Sequence, residues 1–119
     1  MPWEYELATE EDYKNAIQNS SSWYTKNPDQ RYRLLKKVAK QIAENRADLI
    51  GMAVSELGKL PKEVDIEVSE AIDFANYYAE SIYDLKKENI EYDSSGINLV
   101  LSPWNFPVAI PIGGVLASL

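Results

Sequence analysis

Every charged side chain of this protein, twelve basic and nineteen acidic, lies at or before Asp93, and the segment from Ser94 to Leu119 carries none. An uncharged run of that length either crosses a membrane or is covered on all sides by protein. Pro103, Pro107 and Pro111 interrupt it, and Asn98, Asn105 and the pair Gly113-Gly114 add polarity and flexibility, which argues against a spanning helix. The remaining reading is the interior of an α/β core. Ile97-Asn98-Leu99-Val100-Leu101 is expected to be a buried strand, Pro103 to Pro111 an ordered irregular loop, and a helix is expected from about Ile112. An interior strand needs ladder partners for its backbone groups, and no second strand is predicted here. The rest of a sheet is therefore expected elsewhere, in further sequence or in another subunit.

Ahead of that segment the pattern is helical. Thr9 followed by Glu10-Glu11-Asp12 reads as a cap with acids in the first turn, opening a helix over about 10–19 that Ser20-Ser21-Ser22 closes. Asn27-Pro28-Asp29-Gln30 is a second start, with Asn as cap, Pro at the first helical position and Gln three residues on. It opens a helix over about 29–45 with Leu34, Leu35, Val38, Ala39, Ile42 and Ala43 on one stripe. Asn45 breaks or kinks the chain, and a helix over 46–57 ends at Gly58 as a left-handed cap. From Pro61 a long helix runs to about residue 88, with apolar residues from Val64 to Leu85 at helical spacing. Residues 1–119 thus read as mainly α-helical, with one strand.

Composition removes several function classes. The formal net charge is -7, and the basic residues are interleaved with acids, so nucleic-acid binding is not expected. The first residues carry no basic and apolar leader, and the chain contains no cysteine, so a cytoplasmic protein is expected. With neither Cys nor His there is no thiol nucleophile, imidazole base or usual zinc set, and no metal site is expected. Such a toolkit suits a binding part or an incomplete enzyme.

The candidate chemistry lies in Ser102-Pro103-Trp104-Asn105-Phe106-Pro107, between the expected strand and the last helix. The carboxyl end of a strand is where α/β folds bind ligands. Asn105 is an uncharged amide donor between two rings and two rigid prolines, the setting a preorganised oxyanion donor needs. The alternative is an Asx turn with Trp104 and Phe106 in the core. Gly113-Gly114 lacks the surroundings of a phosphate loop, and close helix–sheet packing is expected there. Glu63, Asp65, Glu67, Glu70 and Asp73 spread round a helix axis and read as a solvated face. Lys59 reads as a helix-end charge, and Tyr77, Tyr78 and Tyr83 as packing residues with polar tips.

Pro-Trp-Asn-Phe-Pro after an apolar strand resembles the aldehyde dehydrogenase superfamily, and the upstream order agrees along nearly the whole chain. Arg33-Leu34-Leu35, Ile42 to Arg46, Leu49-Ile50 and Glu56-Leu57-Gly58-Lys59 follow the family pattern. Three further features resemble the pyrroline-5-carboxylate dehydrogenases, including the dehydrogenase half of bifunctional proline-catabolic enzymes. They are the opening Pro2 to Thr9, the stretch Glu67 to Phe74 with Tyr77-Tyr78-Ala79, and Ser102 before Pro103-Trp104.

The resemblance implies an α/β parent fold, with this chain forming the N-terminal helices of the cofactor-binding domain and its first buried strand. It implies that Asn105 donates its side-chain amide to the oxyanion of the tetrahedral intermediate. Leu101, Ser102, Pro103 and Trp104 would line the cleft for NAD or NADP, and Phe106 would wall the pocket of a small aldehyde. The implied parent substrate is glutamate semialdehyde, in equilibrium with pyrroline-5-carboxylate, and the product glutamate. The family's cysteine nucleophile and glutamate base have no counterpart here, so the isolated chain is expected to be inactive and to bind no cofactor, and the parent to be a homo-oligomer. Two alternatives stand beside this one: another enzyme of the superfamily, or a helical interaction module without catalysis.

Overall fold

The computed structural model describes residues 6–19, 27–88 and 96–119. The proposed resemblance over Pro2–Tyr5, the closing serines Ser20–Ser22 and the link Ser94-Ser95 lie outside the described residues. Five helices follow in order: α1 Glu10–Asn19, α2 Pro28–Glu44, α3 Arg46–Leu57, α4 Pro61–Lys87 and α5 Ala109–Ala117. No strand occurs among the described residues.

Local chemistry explains the helix starts. Thr9 and Asp12 form a reciprocal cap on α1, with the Asp12 amide donating to Thr9 Oγ1 at 3.3 Å and the Thr9 amide to Asp12 Oδ2 at 2.7 Å. Asn27 and Gln30 do the same for α2, at 2.9 and 3.1 Å, with Pro28 where no helical amide is needed. Asn45 separates α2 from α3 because its side chain turns back: Nδ2 donates to the Gln41 carbonyl at 2.8 Å and caps the helix behind it. Gly58, at φ 67°, ends α3 with its amide on the Val54 carbonyl at 3.0 Å.

The central element is α4. Val64, Glu67, Val68, Ala71, Ala75 and Ala79 are its buried residues, three or four apart along one face. The three alanines let neighbouring helices approach closely. One core cluster gathers Ile42, Ala53, Val64, Val68, Ala71, Val108 and Ala109. A second gathers Leu35, Ala39, Ala75, Ala79 and Leu116 further along the same helix. Helices α2, α3 and α5 all pack on α4, whereas α1 buries no residue. Across α3 and α4, Arg46 donates to Asp65 Oδ1 at 2.7 Å, to the Asp65 carbonyl at 2.9 Å and to Ser69 Oγ at 2.7 Å.

Two expectations about the uncharged segment are corrected. Residues 97–101 form no strand and are not buried: Ile97, Leu99 and Leu101 are 57%, 80% and 84% exposed. A strand is held by a ladder, and no other strand exists among the described residues to supply one. Helix α5 starts at Ala109, three residues before the expected Ile112. Pro111 read as a loop residue, but it falls in the first turn, where a missing amide costs no helical hydrogen bond.

Gly113 and Gly114 pack closely, against a helix and the 97–101 segment rather than a sheet. A Cβ on Gly113 would meet Phe74 Cδ2 at 2.8 Å, and one on Gly114 would meet Val100 Cγ1 at 2.6 Å. Gly51, also helical, has nothing within 4 Å. Gly113→Ala should therefore lower stability by about 1–3 kcal/mol through overpacking, against the better helix propensity of alanine. Gly51→Ala should raise stability by up to about 1 kcal/mol. Urea midpoints of the two variants moving in the same direction would contradict the α4–α5 contact.

Candidate functional site

Glu67 is the residue around which the site is built. It occupies a position on the buried face of α4 between Val64 and Ala71, and its side chain is 1% exposed. Its Oε1 accepts from the backbone amides of Val108 at 2.7 Å and Ala109 at 3.2 Å. Those amides lead into α5, whose first turn would otherwise leave donors unpaired in the core. A carboxylate there also meets the positive end of the α5 dipole. The chain's own acid thus occupies the α5 N-terminus at its first two amides.

Lys59 completes the arrangement. The left-handed Gly58 turns the chain out of α3, and the Lys59 ammonium returns over the start of α4. It donates to Glu67 Oε2 at 2.6 Å and to the Asn105 backbone carbonyl at 2.8 Å. It also lies 4.5 Å from the centroid of the Phe106 ring, within cation–π range. Burial alone would raise the Glu67 carboxyl above its ordinary range. The hydrogen bonds from Lys59, Val108 and Ala109 and the Lys59 charge outweigh that effect, so its pKa is lowered.

The expectation for these two residues is therefore corrected. Glu67 is buried instead of belonging to a solvated face, and Lys59 is a paired, mostly buried cation instead of a helix-end charge. A signal was present: Glu67 lies three residues after Val64 and four before Ala71, on the apolar stripe itself. Its neighbours in the acidic run differ, since Glu63, Glu70 and Asp73 are exposed and Asp65 pairs with Arg46. Tyr78 is half-buried and stacks on Phe74, Tyr83 meets Tyr32 at 4.5 Å between centroids, and Tyr77 is exposed.

The predicted site residues sit on the turn that this pair holds. Asn105 is exposed, and its side-chain amide makes no hydrogen bond among the described residues. The Asx turn is accordingly not formed. Trp104 is 78% exposed and Phe106 40%, so the rings neither enclose the Asn105 amide nor enter the core. Leu101, Ser102 and Pro103 are exposed as well, leading into the turn. Asn105 and Phe106 are brought together with Lys59, while Leu101 to Trp104 lie along the approach to it.

Residues 2–119 match the sequence model of the aldehyde dehydrogenase family. This chain belongs to that family. It is 35% identical over 116 residues to the Bifunctional protein PutA of Salmonella typhimurium, covering 94% of this chain and 9% of that protein. It is 33% identical over 125 aligned positions to the 1-pyrroline-5-carboxylate dehydrogenase of Bacillus subtilis, covering 96% of this chain and 24% of the relative. A further 1-pyrroline-5-carboxylate dehydrogenase, from Halalkalibacterium halodurans, is 33% identical over 119 residues. The chain spans about a quarter or less of the length of these relatives. No solved structure matches it. Among the described residues of this aldehyde dehydrogenase segment, no helix is long and apolar enough to cross a membrane, and no acidic group clusters to hold a metal ion.

The lowered Glu67 pKa sets a direction for pH dependence. The unfolded chain binds the proton more tightly, so the contribution of Glu67 is complete above its unfolded value, about 4.3, and is lost as pH falls through the lower folded value. Denaturant midpoints measured from neutral pH downward should fall in the acid range, and Glu67→Gln should flatten that fall. At neutral pH Glu67→Ala should cost about 3–5 kcal/mol, since it strands the Lys59 charge. Equal acid sensitivity in wild type and Glu67→Gln would mean the carboxylate is not held as described.

Proposed function

We propose that this chain is the front part of the cofactor-binding domain of an NAD(P)-dependent aldehyde dehydrogenase that oxidises glutamate semialdehyde, from pyrroline-5-carboxylate, to glutamate. Three supports converge. The family match covers the chain from residue 2 to 119. The relatives described above carry the names PutA and 1-pyrroline-5-carboxylate dehydrogenase. The observation that carries the reading of the site is the Asn105 side-chain amide, exposed and without a hydrogen-bond partner among the described residues, on a backbone anchored by Lys59.

On this reading Asn105 donates to the oxyanion that forms when a cysteine thiolate, supplied outside this chain, attacks the aldehyde carbon. A donor serves that step best when its aim is fixed before the charge appears. Phe106 offers an apolar ring beside it for the aldehyde chain. The backbone groups of Leu101, Ser102 and Trp104 make no hydrogen bond among the described residues, which fits edge contacts to a nicotinamide cofactor. That cofactor, NAD or NADP, supplies the two-electron acceptor. A cytoplasmic homo-oligomer is part of the same proposal, supported by the family.

Two measurements test it. The isolated chain should show no aldehyde oxidation with either cofactor, because it holds no thiol; turnover above blank would sink the account. In the full-length dehydrogenase carrying this segment, Asn105→Ala should slow the chemical step on the order of a hundred- to thousand-fold, with cofactor binding little changed. Unchanged turnover would return Asn105 to a turn residue.

A further inference from the structure

The Lys59–Glu67 pair touches the Asn105 turn at both of its ends. Lys59 holds the Asn105 carbonyl at 2.8 Å, which fixes the peptide plane between Asn105 and Phe106. Glu67 holds the amides of Val108 and Ala109 at 2.7 and 3.2 Å, which fixes the start of α5. The two residues hold each other at 2.6 Å, so the ends of the turn are tied to one rigid unit on α4. Between them Pro107 has its φ locked by its ring, and the Phe106 ring rests against the Lys59 ammonium at 4.5 Å. Few backbone torsions remain free from Asn105 to Ala109. The Asn105 amide itself has no partner among the described residues, so what the backbone beneath it fixes is the position of its Cα and the direction of its Cα–Cβ bond.

We infer that Lys59 and Glu67 are positioning residues for Asn105: the buried ion pair sets the place from which the Asn105 amide reaches by clamping the turn from the carbonyl of residue 105 to the amide of residue 109. The inference rests on the reading of Asn105 as an oxyanion donor and adds to it the device that preorganises the donor. Neither residue touches the reacting atoms. Gly58 belongs to the device indirectly, because its left-handed φ of 67° carries the chain from α3 to the point where Lys59 can reach both partners.

A purely structural role for the pair would predict a loss of stability alone. The molecule contains a built-in comparison: the Arg46 clasp on Asp65 and Ser69 also joins α3 to α4 but makes no contact with the turn. The test uses the full-length dehydrogenase carrying this segment, with Lys59→Met, Glu67→Gln, Arg46→Met, Asn105→Ala and the double variant Lys59→Met/Asn105→Ala. Lys59→Met keeps the stem and removes the ammonium. Glu67→Gln keeps a carbonyl oxygen for the Val108 and Ala109 amides and removes the charge that holds Lys59. Lys59→Met should lower kcat about ten- to hundred-fold, as a displaced catalytic group does, with KM for the nicotinamide cofactor unchanged. In the Asn105→Ala background the same change should cost no further turnover, since residues acting through one group are not additive. Arg46→Met should lower the melting temperature and leave kcat as it was.

If Lys59→Met does not accumulate as folded protein, Glu67→Gln with Glu67→Gln/Asn105→Ala gives the same readout, with a loss of kcat that vanishes in the double variant. Unchanged kcat in the folded pair variants, or equal fold-losses with and without Asn105, would overturn the positioning role while Asn105→Ala still slows turnover. An unchanged rate in Asn105→Ala would instead remove the oxyanion reading, and the positioning role with it.

Discussion

A carboxylate buried in a helical core needs a reason to be there, and Glu67 has three: two backbone amides and one ammonium. Taking an isolated carboxylate and ammonium out of water costs several kcal/mol for each ion. Charge-assisted hydrogen bonds return about 1.5–3 kcal/mol apiece, and the pair makes four: Glu67 accepts three, one of them from Lys59, and Lys59 donates the fourth to the Asn105 carbonyl. The sum is close to balanced, so net stabilisation is not what distinguishes the pair from a well-packed apolar substitute. What an apolar residue could not supply is direction. Glu67 aligns α5 through its first amides, and Lys59 aligns the preceding turn through a carbonyl, so helix and turn share one reference point on α4.

That reference point is rigid because of what surrounds it. Val64 and Val68 are fully buried beside Glu67, and the alanines at 71, 75 and 79 continue the face toward the other end of α4. Small residues at helical spacing bring α2 and α5 close to the α4 backbone, and Gly113 extends the same economy to α5, where the Phe74 ring leaves no room for a methyl group. Helix α1, capped well but burying nothing, lies outside this arrangement and depends on its own termini. The bundle is thus a platform on α4, and the turn is held where α3 passes into α4.

Much of this was legible in the residues. Asn27-Pro28 with Gln30, Thr9 with Asp12, and Gly58 after an apolar stripe carry their helix boundaries in local chemistry that needs no tertiary information. The family was legible in the ordered motifs from Arg33 to Pro107. What failed to be legible was long-range. Residues 97–101 have the composition of a buried strand, but strand formation depends on a neighbour that composition cannot provide. Pro111 carried the same signal as a loop proline and as a first-turn proline, and only the position of Glu67, forty-odd residues away, decides that the helix starts at Ala109. Glu67 itself was hidden by averaging: within an acidic run it looked like its neighbours, although its phase on the helix matched Val64 and Ala71.

The uncharged segment meets the charged helices along α5 and, ahead of that helix, through the Lys59 hold on Asn105, and this shapes what the segment can contribute. From Ile97 to Pro107 the residues are exposed apart from the half-buried Val100, and the contacts that carry the segment into the core begin with Val108 and Ala109. Upstream of those two residues, Lys59 provides the ionic hold, at the Asn105 carbonyl, and the Val100 side chain leans on Gly114. Exposed Leu99, Leu101 and Trp104 leave several apolar side chains facing solvent, each an unfavourable exposure of the order of 1.5–3 kcal/mol relative to burial. Helices α2 to α4 therefore supply the foundation, while the segment supplies surfaces and the Asn105 amide. The segment contains no ionisable side chain, and the ammonium that holds its backbone, that of Lys59, has its charge largely met by Glu67. On the reading proposed above, the donor at residue 105 is a neutral amide whose backbone is held by an ion pair that Glu67, kept ionised within the core, completes.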